Sequence, residues 1–166
     1  QYSGGSWTQL GSDIDGEAQY DQSGTSVSLS SDGSIVAIGA EGNDGNGSNS
    51  GHVRVYQYSG GSWTQLGGDI DGERNGDNSG SAISLNNDGT RVAIGAYSNG
   101  YGISNSSRGH VRIYEYSNGS WLQLGSDIDG EAKNNYFGTS VSFSSDGTTV
   151  AIGAKYNYGA NGGDSG

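Results

Sequence analysis

The 166-residue sequence contains no cysteine, no proline and no methionine. Without cysteine there are no disulfides, no thiolate metal ligands and no thiol nucleophile. Basic residues are scarce. Seven Lys and Arg stand against 18 Asp and Glu, for a net charge of −11. That balance argues against a nucleic-acid partner, which needs a basic face. It suits a solvated surface or divalent cations. No apolar run approaches the roughly 18 residues of a membrane span, so no membrane insertion is expected. No signal peptide is visible, and the first residue is Gln1 rather than Met. The chain is therefore expected to be a processed product or a piece of a longer one. Hydrophobic residues make up only 30% of the sequence. With this net charge, that composition leans towards disorder. Eleven Tyr and three Trp add buriable surface, however, and the apolar residues are strictly placed.

The placement is a repeat. The segment Tyr2 to Trp7, YSGGSW, returns at Tyr58 to Trp63 and as YSNGSW at Tyr116 to Trp121. The segment DIDGE occupies 13–17, 69–73 and 127–131, and VAIGA occupies 36–40, 92–96 and 150–154. GHVRVY at 51–56 returns as GHVRIY at 109–114. The period is 56 and then 58 residues.

Each unit reads as four strands. In the first, Val27 and Leu29 alternate with Ser and Thr, as do Ile83 and Leu85, and Val141 and Phe143. Period-two alternation marks a half-buried strand. An Asp-Gly pair follows each time, at 32–33, 88–89 and 146–147, which is a strong hairpin signal. The second strand runs from Ile35 to Ala40. It is branched on one face (Val36, Ile38) and small on the other (Ala37, Gly39), as strands nearest a crowded propeller axis require. A polar loop leads to the third strand, with Val53 and Val55 opposite His52, Arg54 and Tyr56. A Ser-Gly-Gly turn leads to the fourth, expected to run from Trp63 to Ile70. No segment has helical periodicity. The expected fold is all-β, with tandem four-stranded antiparallel blades of a β-propeller, about three in number and short of a closed ring. The units are 1–20 (end of a preceding blade), 21–73, 74–131 and 132–166 (incomplete). The hairpin turns disfavour the rival β-solenoid. Too few blades to close a ring predicts self-association or a fragment of a longer repeat chain.

At these residues the sequence resembles the FG-GAP repeats of integrin-α-type propellers. The best copy is Phe137-Gly138-Thr-Ser-Val, then Asp146-Gly147, then Ala151-Ile-Gly153-Ala154. The segments 51–56 and 109–114 match the end of the pattern. Ser23 and Ser79 replace the Phe in two copies, and Glu41, Tyr97 and Lys155 stand where the family has Pro. The family's calcium loop is shortened to a lone Asp32, Asp88 or Asp146. The resemblance implies an extracellular adhesive or ligand-binding role.

Candidate chemistry is sparse. The DIDGE copies place Asp13, Asp15 and Glu17, then Asp69, Asp71 and Glu73, then Asp127, Asp129 and Glu131 at i, i+2 and i+4. On an extended strand such carboxylates share a side, and with the intervening Gly they suit a Ca2+ site. The alternative is a solvated acidic corner copied with the repeat. His52 and His110 are expected to be structural or surface residues. Arg54 and Arg112 are expected to pair with acidic neighbours across strands. Trp7, Trp63 and Trp121 with Tyr2, Tyr58 and Tyr116 are expected to pack between blades rather than stack on sugars. Asn46, Asn105 and Asn118 head N-glycosylation sequons. There is no nucleophile elbow and no phosphate loop. Exact repetition argues against an active site, which needs different groups converging at one point. The expected function is non-catalytic, namely an extracellular or cell-surface module binding a protein or glycan ligand. The runner-up is a structural protein of a fibre, sheath or coat, and a propeller hydrolase is a distant third.

Overall fold

The structure, a computed structural model, describes residues 1–99 and 107–157. It contains fourteen strands: β1 (Tyr2–Ser3), β2 (Ser6–Trp7), β3 (Ser23–Leu29), β4 (Ile35–Ala40), β5 (His52–Ser59), β6 (Ser62–Gln65), β7 (Ile70–Asp71), β8 (Ala82–Leu85), β9 (Arg91–Ala96), β10 (His110–Ser117), β11 (Ser120–Gln123), β12 (Ile128–Asp129), β13 (Phe137–Phe143) and β14 (Val150–Ala154). Among the described residues there is no helix. Two equivalent sheets run β3-β4-β5-β6 and β8-β9-β10-β11, with β7 added to β5 and β12 to β10. Strands β1–β2 and β13–β14 form smaller flanking sheets, and all these strand pairs are antiparallel. These tandem sheets are β-propeller blades, and the described blades do not close a ring.

Local chemistry makes the hairpins. Gly33 sits at φ 72°, in the left-handed region that glycine enters without a Cβ clash. Its amide donates to the Ser30 carbonyl at 2.9 Å. The Asp32 carboxylate accepts from the Ser34 amide (2.9 Å) and the Ser30 hydroxyl (2.7 Å). The single Asp of each shortened loop is thus a turn clamp. The fourth strand departs from expectation, because it is broken. Strand β6 stops at Gln65, Gly67 interrupts the pairing at φ 71°, and Ile70–Asp71 resumes it further along β5 in the same antiparallel sense, pairing Val53 with Ile70 and His52 with Asp71.

The register divides each sheet into two unlike faces. Ser28 lies opposite Ala37, and Ala37 opposite Val55, giving a face of small and branched residues. Leu29, Val36 and Tyr56 share the other, larger face. The small face of the first sheet meets the large face of the second. Ile35, Ala37, Val53 and Val55 form one core cluster with Ile83, Leu85, Val92 and Ile94. Ile83 and Leu85 are 9% and 7% exposed, while their counterparts Val27 and Leu29 are 64% and 59% exposed. The difference is the presence of a preceding sheet. Covering each such side chain contributes about 1.5–3 kcal/mol.

The expectation that the second strand lies innermost is corrected. The first strand occupies the free sheet edge, and successive first strands β3, β8 and β13 pack on one another. The small residues of β4 and β9 instead admit the next blade's backbone. A Cβ on Gly39 would collide with the Gly80 carbonyl oxygen, and one on Gly95 with that of Gly138. Serines complete the junction. Ser26 Oγ donates to the Gly80 carbonyl at 2.6 Å. Ser28 Oγ accepts from the Leu85 amide at 2.9 Å, and Ser84 Oγ from the Phe143 amide at 3.0 Å.

Two outcomes follow for stability. Gly95→Ala adds one methyl at a backbone-to-backbone contact and is expected to cost about 1–3 kcal/mol by overpacking. Unchanged chemical denaturation would show that the blades do not approach as described. Val92→Asp places an unpaired charge at a fully buried position and is expected to cost several kcal/mol. Val36→Asp, on the half-open face of the first sheet, is expected to cost less, and equal losses in the two variants would contradict the asymmetry.

Candidate functional site

Functional groups gather at one end of the sheets, where second strands finish and third strands begin. His52 and His110 open β5 and β10 there and are both buried. His52 lies on the large face of its sheet with Arg54 and Tyr56. Pairing of β7 with the start of β5 brings Asp69, the residue before β7, to it, and the preceding acidic segment brings Glu17. His52 Nδ1 is 3.8 Å from Glu17 Oε2 and 3.9 Å from Asp69 Oδ2. The next repeat assembles Glu73, His110 and Asp127 in the same way.

The acidic segments are therefore grouped differently from the sequence expectation. Among the described residues, Asp13, Asp15 and Glu17 do not converge as one ligand set. The last carboxylate of one copy meets the first carboxylate of the next. The reason is backbone shape. Only Ile70–Asp71 and Ile128–Asp129 are extended, so the i, i+2, i+4 rule for strands does not span five residues. Asp13 accepts instead from Gln9 Nε2 at 2.8 Å. Asp15 offers its carbonyl to Arg54 Nη2 at 2.7 Å. Asp71, Asp129 and Glu131 stay exposed.

The two arginines act differently. Arg112 donates from Nε to Asp127 Oδ1 (2.9 Å) and from Nη2 to Asp127 Oδ2 (3.1 Å), and is also ion-paired with Glu73. The Arg112 hydrogen bond holds the Asp127 carboxyl below the usual carboxylate range. Burial, aided by the Arg112 charge, pushes the His110 imidazole down, so it favours the neutral form. Arg54 stands 3.7 Å from Glu17 Oε1, a looser pairing.

A second feature at this end is a tyrosine cleft of about 320 Å³ between the second and third blades. Tyr97, Tyr136, Thr139, Lys155 and Tyr156 line it. Tyr97 and Tyr136 stack at 6.0 Å between centroids, Tyr136 and Tyr156 meet edge-on at 5.2 Å, and Lys155 Nζ lies 5.0 Å from the Tyr156 centroid. Tyr136 holds φ 53°. Its counterparts Gln22 and Asn78 hold φ 56° and 54°, a conformation Asn tolerates and a bulky aromatic does not favour. Sequence reasoning passed over this group. The available signal was departure from the repeat, since Tyr97, Tyr136 and Tyr156 occupy positions held by Glu41, Asn78 and Ser98 in neighbouring copies.

The tryptophans are structural. Trp63 Nε1 donates to the Leu10 carbonyl and Trp121 Nε1 to the Leu66 carbonyl, both at 2.8 Å. Each thereby ties one repeat to the one before, while Trp7 is exposed. Of the sequon residues, Asn46 is exposed but donates from Nδ2 to the Gly72 carbonyl at 2.8 Å. Asn118 lies exposed in the β10–β11 turn. Asn105 falls outside the described residues.

A family model described as FG-GAP repeat matches residues 13–56. No curated protein matches the chain. Among solved structures, Kuenenia stuttgartiensis Hydrazine Synthase is similar at TM-score 0.49 and 14% identity, over 88% of this chain and 32% of that one. The chain thus spans about a third of the length of that protein.

Buried Asp77 supplies a pH prediction. Its Oδ2 accepts from the Arg74 amide at 3.0 Å, and its Oδ1 has no hydrogen-bond partner. Burial pushes its carboxyl up, with the nearby Asn99 side chain offsetting part of the rise. The folded pKa exceeds the unfolded one, so this stability is full below the unfolded value of about 4 and is lost as pH rises through the folded value. The third copy has Asn135 here, donating to Asn157 Oδ1 at 2.8 Å. Asp77→Asn is expected to raise the melting temperature at pH 7, with the gain vanishing below about pH 4. A gain independent of pH would refute the assignment.

Proposed function

We propose that this tandem of β-propeller blades, of which residues 13–56 match the FG-GAP repeat model, is a non-catalytic binding module of an extracellular or cell-surface protein. FG-GAP repeats are typical of extracellular proteins, and the ligand classes that suit such a module are proteins and glycans. The observation that carries the reading is Tyr136. A bulky residue in left-handed backbone costs on the order of 1–3 kcal/mol and persists where the surrounding structure holds it, as the repeat does here and as ligand sites often do. Here it completes a cleft walled by three tyrosines, with a lysine and a threonine for hydrogen bonding. Flat aromatic faces beside a few polar groups favour a glycan among the two ligand classes, because a sugar ring offers C–H faces and hydroxyl edges together.

The test is an NMR titration with a panel of mono- and disaccharides. Shifts are expected to concentrate at Tyr97, Tyr136 and Tyr156, and Tyr136→Asn is expected to abolish them. That substitution restores the residue of the preceding repeat, so it should also stabilise the fold by about 1 kcal/mol. Saccharide binding that survives Tyr136→Asn would sink the proposal.

One observation favours a structural role as a second reading. Exposed Val27 and Leu29 belong to the face that Ile83 and Leu85 bury against a neighbouring sheet. The last sheet presents Ser140, Ser142 and Ala151, the counterparts of the small face that receives them. Copies could therefore add sheet to sheet, as a fibre or coat would require. Analytical ultracentrifugation is expected to show concentration-dependent association that Val27→Lys with Leu29→Lys reduces. A monomer at all concentrations would eliminate this reading.

A further inference from the structure

His52 is 1% exposed, yet its Nδ1 has no hydrogen-bond partner. The atom is aimed between two carboxylate oxygens, Glu17 Oε2 and Asp69 Oδ2, at 3.8 and 3.9 Å. The three atoms lie within 4.8 Å of one another. Neither carboxylate oxygen is within hydrogen-bond distance of Nδ1, and a buried nitrogen without a partner is destabilising by itself.

We propose that His52 Nδ1, Glu17 and Asp69 form a binding site for a divalent transition-metal ion of the zinc type. One imidazole nitrogen with two carboxylate oxygens is a donor set that suits zinc, cobalt or nickel. Calcium and magnesium take oxygen ligands and have no use for a buried imidazole. Zinc bonds of about 2.0–2.1 Å in a tetrahedral arrangement place neighbouring ligand atoms about 3.3 Å apart. The two separations from His52 Nδ1, 3.8 and 3.9 Å, need to close by roughly half an ångström on that standard. Both carboxylate side chains are partly exposed and can shift by that amount. The surrounding groups are those that orient metal ligands. Gln65 Nε2 donates to Asp69 Oδ1 at 2.6 Å, leaving Oδ2 turned towards His52. Asn43 Nδ2 reaches Glu17 Oε2 at 3.5 Å.

The second copy differs in one respect. The Arg112 guanidinium lies on both Asp127 and Glu73 and serves as a built-in cation. Arg54 instead spends a donor on the Asp15 carbonyl. The proposal is therefore one site per chain, at His52 and not at His110.

Isothermal titration calorimetry of the metal-free full chain with zinc chloride tests this. One zinc per chain is expected. His52→Gln and Asp69→Asn are each expected to weaken binding at least about tenfold, while His110→Gln leaves it unchanged. Arg112→Gln is expected to raise the stoichiometry to two. If the His52 variant fails to fold, the ¹⁵N shifts of the wild-type histidines decide, with zinc moving His52 Nδ1 and not His110 Nδ1. No zinc binding by the wild type, equal binding by folded His52→Gln, displacement of zinc by equimolar calcium chloride, or a shift at His110 alone would each overturn the proposal.

Discussion

The contact between successive blades at glycine is the constraint on which the rest of the structure depends. At Gly39 and Gly95 the chain of one sheet lies against a carbonyl of the next, at Gly80 and Gly138, with no room for a side chain between them. Neither Gly39 nor Gly95 has an unusual φ, so glycine is required there for space alone. Once the backbones are that close, the facing side chains must be unlike. Alanine, serine and valine from one sheet receive isoleucine, leucine and valine from the next in one buried layer. The serine hydroxyls that hydrogen-bond across the junction reach because the sheets are near. Glycine in a strand ordinarily weakens it, and here the loss is offset by inter-sheet packing.

That junction also decides where function can lie. The histidine clusters and the tyrosine cleft lie at the sheet ends, where loops of adjacent repeats meet. The acid–histidine clusters each take residues from two repeats, with Glu17 from one and His52 and Asp69 from the next. The tyrosine cleft likewise spans two blades. Both depend on the relative position of neighbouring sheets and would be lost if the junction loosened. The two features differ in origin. The histidine clusters are products of repetition, with one arginine side chain distinguishing the copies. The tyrosine cleft lies where the copies differ, with Tyr97, Tyr136 and Tyr156 at positions where neighbouring copies carry Glu41, Asn78 and Ser98.

The architecture was largely legible because its determinants are local. Alternation at Val27 and Leu29, the Asp-Gly turns, and the two-faced Ile35–Ala40 strand each specify a strand or hairpin without knowledge of the rest. What escaped was set by long-range geometry. Alternation cannot say which strand lies at the sheet edge, so the small face of β4 was taken as a sign of an axial position rather than of contact with Gly80. The acidic segment was expected to be one extended strand, but only Ile70–Asp71 is extended, and its first and last carboxylates reach different partners. The buried state of His52 was hidden as well, because its companions lie 35 residues before it and 17 after it in the sequence. The tyrosines were visible only as exceptions to the repeat, and a reading centred on what recurs passes over exceptions.

The central claim is that consecutive blades are held face to face by the serine–backbone and glycine–carbonyl junction. Amide hydrogen exchange at Leu85 and Phe143, followed by NMR, tests it most directly. These two amides, at strand positions on free sheet edges, donate to Ser28 and Ser84 of the preceding blade. The account predicts that both are protected, that Ser28→Ala accelerates Leu85 alone, and that Ser84→Ala accelerates Phe143 alone. Fast exchange at both in the unsubstituted protein, or no response to either substitution, would contradict it.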